Sequence, residues 1–184
     1  MWPREKVCGC CLNAAGVHEL RQLGVLDAVA HRATPLTRVR VRSGRRMASL
    51  ECLNGLAIPR GTLDALLVDT AERCGAQFTC QTSAKVIARH HDLWRVELRS
   101  ANSIQAHTVD ARIVIVADGL SGGSLADIEG FKPVVQARSR MGVALRADGR
   151  TSDLASGEVH MLIAPHGYAG MVRLDPTTIA VAAA

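Results

Sequence analysis

Aromatic side chains are scarce in this chain. Phe, Trp and Tyr make up 3% of it, as Trp2, Phe78, Trp94, Phe131 and Tyr168. The core must therefore be aliphatic, and a base-stacking platform for nucleic acid is excluded. No Gly-x-Gly-x-x-Gly occurs in the sequence, so no phosphate-cradling turn of that kind opens a helix within it. Long apolar runs are missing too. The longest strand-like one, Ile113–Ala117, is far short of the roughly 20 residues that span a bilayer. No apolar h-region marks the N-terminus as a secretory signal. Six cysteines in 184 residues do not make a disulfide scaffold, and a reducing, cytoplasmic compartment is expected.

What is present describes an ordinary globular chain, 48% apolar and 21% charged. The net charge of +5 and pI near 9.1 invite an anionic partner. The basic residues are dispersed, however. In the densest stretch Arg38, Arg40 and Arg42 alternate with Val39 and Val41, the pattern of an exposed strand face. A solvated face is the plain reading, attraction to an anionic cofactor or substrate the alternative, and nucleic acid is not expected.

Asn13 is a good N-cap for a helix through Val17 and Leu20 that Gly24 closes, with Val25 and Leu26 forming a hydrophobic turn. Strands are expected at Arg38–Arg42 and Arg45–Leu50. The strongest helix is 61–74, where Leu63, Leu66, Leu67, Thr70, Ala71 and Cys74 recur at three and four, placing Cys74 in the core. The period then falls to two: 77–80 reads as a strand, and 83–89, 93–98 and 104–109 as an antiparallel meander. The meander leads into 111–116, an apolar run suited to a strand buried on both faces. Four more strands are expected at 137–147, 158–164, 168–174 and 177–182, with 147–157 as a loop.

The most informative segment is Arg112-Ile-Val-Ile-Val-Ala-Asp118-Gly119. A buried strand ending in Asp-Gly puts a carboxylate at the C-terminal edge of a sheet, where α/β sheets bind nucleotides, and the glycine permits close approach. A plain turn explains the dipeptide equally well; order along the chain decides.

Pro3-Arg4-Glu5-Lys6-Val7-Cys8-Gly9 looks like a P-R-x-K-x-C-G stretch, and Leu23–Asp27 like the turn that follows it. Pro59-Arg60 to Leu67 looks like an R-x-x-L/F-D-x-x-L helix, Asp118-Gly119-Leu120-Ser121 like a D-G-x-S element, and Gly167-Tyr168 like the start of a substrate-side stretch. In this order the set resembles the FAD-dependent oxidoreductases of the para-hydroxybenzoate hydroxylase and geranylgeranyl reductase superfamily.

The resemblance implies an α/β fold with α+β elements: a partial, Rossmann-like FAD-binding domain over 1–130, containing the meander, and part of a substrate-side β-sheet over 131–184. It also implies an internal piece of a longer flavoprotein, with the glycine-rich turn before Met1 and a Gly-Asp element beyond Ala184. Arg4, Cys8 and Gly9 would lie along the flavin. Arg60 would meet its phosphate or ribitol region, the backbone from Ala84 to Val86 its adenine, and Asp118 with Gly119 the ribityl and pyrophosphate. Tyr168 would face a small or lipid-like organic substrate. FAD is the implied cofactor, with NAD(P)H as a candidate reductant. Peripheral membrane contact stays open, without a transmembrane segment. No side chain is singled out as a catalyst.

The departures are Gly122-Gly123-Ser124, where a basic residue usually follows, and Gly170-Met171-Val172, where the reductases carry aromatics and proline. Two other readings stand beside the flavoprotein. One is a non-catalytic remnant without cofactor; the other is a thiol or metal protein built on Cys8, Cys10 and Cys11, whose C-x-x-C spacing suits a dithiol or half of a metal site. Cys52, Cys74 and Cys80 are scattered. His90 and His91 read as turn residues, and His160 and His166 as flanks of a hairpin.

Overall fold

The computed structural model describes residues 2–4, 6–119, 122–131, 134–139 and 141–184. Its contacts divide the chain into two units, one formed by Thr79–Ser139 with Trp2, the other by Pro3–Phe78 and Arg140–Ala184. The fold is mixed α/β.

The larger unit is built on a seven-stranded sheet. Its strands are β1 (Cys11–Leu12), β2 (Thr34–Ser43), β3 (Arg46–Ala57), β7 (Val143–Asp148), β8 (Glu158–Ala164), β9 (Gly167–Asp175) and β10 (Thr178–Ala183), in the order β1-β3-β2-β8-β9-β10-β7. All neighbours are antiparallel except β2 and β8, where Arg38 to Ser43 run alongside Glu158 to Ile163. Gly157 starts that parallel pair. Its carbonyl accepts the Thr37 and Arg38 N–H groups at 2.8 and 3.2 Å, its φ is +78°, and a Cβ there would sit 3.0 Å from the Pro35 oxygen.

Three helices cover one end of this sheet: α1 (Ala14–Gln22), α2 (Leu26–Ala30) and α3 (Arg60–Arg73). Asn13 Oδ1 accepts the Gly16 N–H at 2.9 Å, and Gly24 ends α1 with φ +70°. The apolar faces meet in one cluster of Val17, Leu20, Val25, Val29, Leu56, Ile58 and Leu63. A second cluster joins Cys10, Leu36, Ala57, Val172, Leu174 and Ala180, with Cys52 and Val159 against it. A β-bulge makes room for it. Leu36 pairs with Gly55 and Arg38 with Glu51, so residues 52–54 stand opposite Thr37, with Asn54 at φ +58°. A Cβ on Gly55 would lie 2.8 Å from the Cys52 sulfur, so only glycine fits.

The smaller unit holds the meander β4 (Thr82–His90), β5 (Leu93–Ser100) and β6 (Ala106–Ala111), a three-stranded antiparallel sheet. Val86 and Val96 pair across it and are its buried centre.

Several expectations fail. Residues 113–119 form neither helix nor strand, and Ile113 and Ile115 are 80% and 87% exposed. A strand buried on both faces needs neighbours at both edges, and the described residues supply none to this run. Residues 77–79 are irregular, and β7 begins at Val143 rather than near 137; Arg140 lies outside the described residues. Cys74 is exposed, because the last turn of α3 runs past the cluster that holds Leu63. Val25 and Leu26 form more than a turn, for Leu26 opens α2.

The Arg38–Arg42 stretch keeps its solvated face, with Arg38 and Arg42 exposed, but that face also carries ion pairs. β2 lies between β3 and β8, and Arg38 and Arg40 turn onto Glu158, whose side chain is 10% exposed. Arg38 Nη1 and Arg40 Nη2 donate to Oε1 at 3.1 and 3.0 Å, and His160 Nε2 lies 3.1 Å from Oε2. Arg40 Nε is 2.7 Å from Oε2 but lacks hydrogen-bond alignment. Arg40 and His160, with Arg38 behind them, hold the Glu158 pKa down at about 2.

Candidate functional site

In the larger unit, residues 6–10 run beside the start of α3 and are pinned at two points. Lys6 Nζ donates to Asp64 Oδ2 at 2.7 Å, and the Cys10 carbonyl accepts the Ile58 N–H at 2.9 Å. Between these points Cys8 is brought to Arg60. Arg60 Nε donates to Asp64 Oδ1 at 2.5 Å, and Cys8 is near enough to the same guanidinium to help raise its pKa. The Cys8 sulfur also accepts the Cys10 N–H at 3.3 Å.

Asp64 is buried, whereas Lys6 and Arg60 are half-exposed. Burial disfavours its charge, but the hydrogen bonds from Lys6 and Arg60 outweigh that and hold its pKa below the ordinary value. Two cations around one carboxylate leave a net positive corner beside a thiol. Lys6, Cys8, Cys10, Arg146 and Ala180 line an open cleft of about 440 Å³ there. The corner suits an anion.

Of the residues singled out from the sequence, the structure thus joins Cys8 and Arg60. Gly9 lies on the same segment and Arg4 ahead of it, both exposed, and Glu5 is outside the described residues. Lys6 and Asp64 had no role assigned from the sequence. The Arg60–Asp64 spacing of four on one helix face was the available signal.

In the smaller unit, Ala84, Lys85, Asp118, Gly122 and Ser124 line a cavity of about 510 Å³. Asp118 serves its own loop: Oδ2 accepts the Ser124 N–H at 3.0 Å, and the Ser124 hydroxyl and N–H hold its pKa down. A Cβ on Gly122 would overlap that carboxylate, which gives the Gly122-Gly123 departure a physical reason. The Val86 N–H is already committed to the Ser124 carbonyl at 2.8 Å, so it anchors the loop rather than facing the cavity. Gly119 has φ +84° and is exposed; Leu120 and Ser121 lie outside the described residues.

Tyr168 sits on β9, 46% exposed, beside an almost wholly apolar concavity of about 340 Å³ with Met161, Ile163, Ala164 and Gly167. Among the described residues, no three or more His, Cys, Asp or Glu are arranged to hold a metal ion. Cys11 is held toward its protonated form. Crowding around its sulfur, with Cys10, Cys8 and Cys52 nearby, pushes its pKa up to about 12 although the residue as a whole retains exposure. Among the described residues, no helix is long and apolar enough to cross a membrane.

The chain matches the FAD-binding domain family over residues 2–178, and it belongs to that family. FAD is the family's cofactor. The fold is that of flavin-dependent enzymes. It is similar to a flavoprotein/dehydrogenase from Cytophaga hutchinsonii, at 17% identity and TM-score 0.78 over 100% of this chain and 47% of that one. It is similar also to the myxobacterial chondrochloren halogenase CndH, at 17% identity and 0.74 over 100% and 45%. The flavin-dependent monooxygenase PieE, solved with FAD and substrate, matches at 19% and 0.73 over 97% and 36%. The chain spans about half the length of the first solved structures it matches. No curated protein matches its sequence significantly.

The donor set fits FAD in its anionic part. Lys6 and Arg60 offer an ammonium and a guanidinium fork to phosphate, and the cleft that Lys6 lines has room for more than a lone ion.

Proposed function

We propose that this chain is the part of a flavin-dependent oxidoreductase that holds FAD by its phosphate and ribitol region and offers an apolar floor to a small or lipid-like organic substrate. The observation that carries the reading is the Lys6–Asp64–Arg60 group beside Cys8, a cationic corner on a cleft in a chain of the FAD-binding family. Within that family, the order of motifs from Pro3 to Tyr168 favours the branch of para-hydroxybenzoate hydroxylase and the geranylgeranyl reductases.

Functionally, residues 1–130 are the cofactor side and 131–184 the substrate side. Arg60 and Lys6 bind the anionic part of FAD; Arg4, Cys8 and Gly9 line its path. Ala84, Val86, Asp118 and Gly119 form the adenine and ribityl contacts, Val86 by shaping the loop. Tyr168, with Met161 and Ile163, receives an apolar substrate and supplies one phenol for orientation. FAD, when bound, supplies the redox chemistry, while these residues bind and orient. NAD(P)H is the proposed reductant, a small molecule the proposed substrate and the cytoplasm the proposed compartment; nucleic acid is not a proposed partner. Peripheral membrane contact would follow if the substrate were a lipid.

The test is reconstitution. Protein purified with added FAD should show the flavin absorption bands after gel filtration, and its Tm should rise with FAD. Colourless protein whose Tm ignores FAD would sink the reading and leave a non-catalytic polypeptide.

A further inference from the structure

Asp64 is the one buried carboxylate in this corner, and it divides its oxygens: Oδ2 to Lys6, Oδ1 to Arg60. Its side chain is 10% exposed, against 31% for Lys6 and 41% for Arg60. The anion thus lies inside and both cations face outward. Engaging Nε of Arg60 leaves the guanidinium's terminal NH₂ groups to other acceptors. Lys6 belongs to a segment with no regular structure of its own, and Asp64 is its tie to α3. Without the carboxylate the two like charges would repel and that segment would lose its anchor.

We infer that Asp64 is a positioning residue that sets Lys6 and Arg60 as a two-pronged clamp for a phosphate-bearing ligand, acting through those cations without touching the ligand itself. In the reading above, which this inference deepens, that ligand is the pyrophosphate-bearing part of FAD. Any polyphosphate-like dianion would share the chemistry.

The experiment compares FAD, riboflavin and inorganic pyrophosphate on wild-type protein, Asp64→Asn, Asp64→Glu and Lys6→Met. Binding is read by flavin fluorescence and calorimetry; the Tm of ligand-free protein and the far-ultraviolet circular dichroism show whether each variant folds. Asp64→Asn should weaken FAD and pyrophosphate at least tenfold while leaving riboflavin, which lacks phosphate, within twofold of wild type. Asp64→Glu should recover part of the loss, and the salt dependence of FAD binding should flatten in Asp64→Asn. Equal losses for FAD and riboflavin would mean a merely structural role and overturn the inference, as would FAD binding unchanged by Asp64→Asn. If Asp64→Asn does not fold, Lys6→Met decides: it removes one prong from the exposed side and must weaken FAD at least threefold with riboflavin unchanged. Wild-type protein that binds pyrophosphate but not FAD, with the pyrophosphate affinity lost in Asp64→Asn, would overturn the FAD reading and support the clamp. Wild-type protein that binds neither overturns both.

Discussion

Asp64 and Asp118 both ionise more readily than an ordinary aspartate, yet their surroundings are opposite. Asp64 is buried, and its burial cost is offset by Lys6, 58 residues away in sequence, and by Arg60 one helical turn back. Asp118 is exposed and is served by Ser124, six residues on. The first carboxylate reports tertiary structure: it keeps its environment only while the segment at residues 6–10 and α3 stay together. The second reports a loop, which can form or open with little consequence for anything else. A low carboxylate pKa is therefore no sign of a site by itself; the distance its partners come from is the better guide.

The comparison can be broken from the larger side first. Ile58→Ala removes one of the largest fully buried side chains, next to the Cys10 carbonyl that pins the corner. It should cost about 3 kcal/mol in denaturant unfolding, with hydrogen exchange at the Ser124 N–H left as it was. Asp64→Asn follows, at about 1–3 kcal/mol, because a buried hydrogen-bonded charge is lost and two cations are left facing one another.

Acid sharpens the contrast. The folded pKa of Glu158 is depressed to about 2 from 4.5, so its contribution is complete above the unfolded value and is lost as pH falls from 4.5 towards 2. Asp64 has the same sign, with its contribution present above its unfolded value and lost below. Glu158→Gln should flatten the acid limb of Tm against pH. Asp118→Asn should leave that limb almost unaltered and change stability by about 0.5 kcal/mol or less, as surface substitutions do. Gly122→Ala, which overlaps the Asp118 carboxylate, should speed exchange at Ser124 while global unfolding moves by about 1 kcal/mol at most.

Legibility in the sequence followed the same division. Features fixed by near neighbours could be read: Asn13 as a cap, the helix from 61, and the meander with His91 in its turn at φ +50°. Cys8 and Arg60 were named, but through resemblance. Asp64 and Lys6 stood inside the two resembling stretches without a role, since nothing local says that Lys6 will reach Asp64. Arg38 and Arg40 read as a wet face and stay half-exposed, but their pairing with Glu158 was hidden because it is 120 and 118 residues away. The run at 113–116 misled for a related reason: apolar composition states a preference for burial and cannot supply the strands that would bury it.

The parallel pairing of β2 with β8 has a consequence in time. On a ribosome, β2 and β3 emerge and pair early, but one edge of β2 stays open until Glu158–Ala164 has been made. For a flexible chain, closing a loop of this size costs roughly 4 kcal/mol of entropy. The meander at 82–111 lies inside that loop and uses only short-range contacts, so it can fold first and shorten the search. Until β8 arrives, Arg38 and Arg40 keep the nascent edge charged, and charge on an open strand edge discourages pairing with the wrong chain.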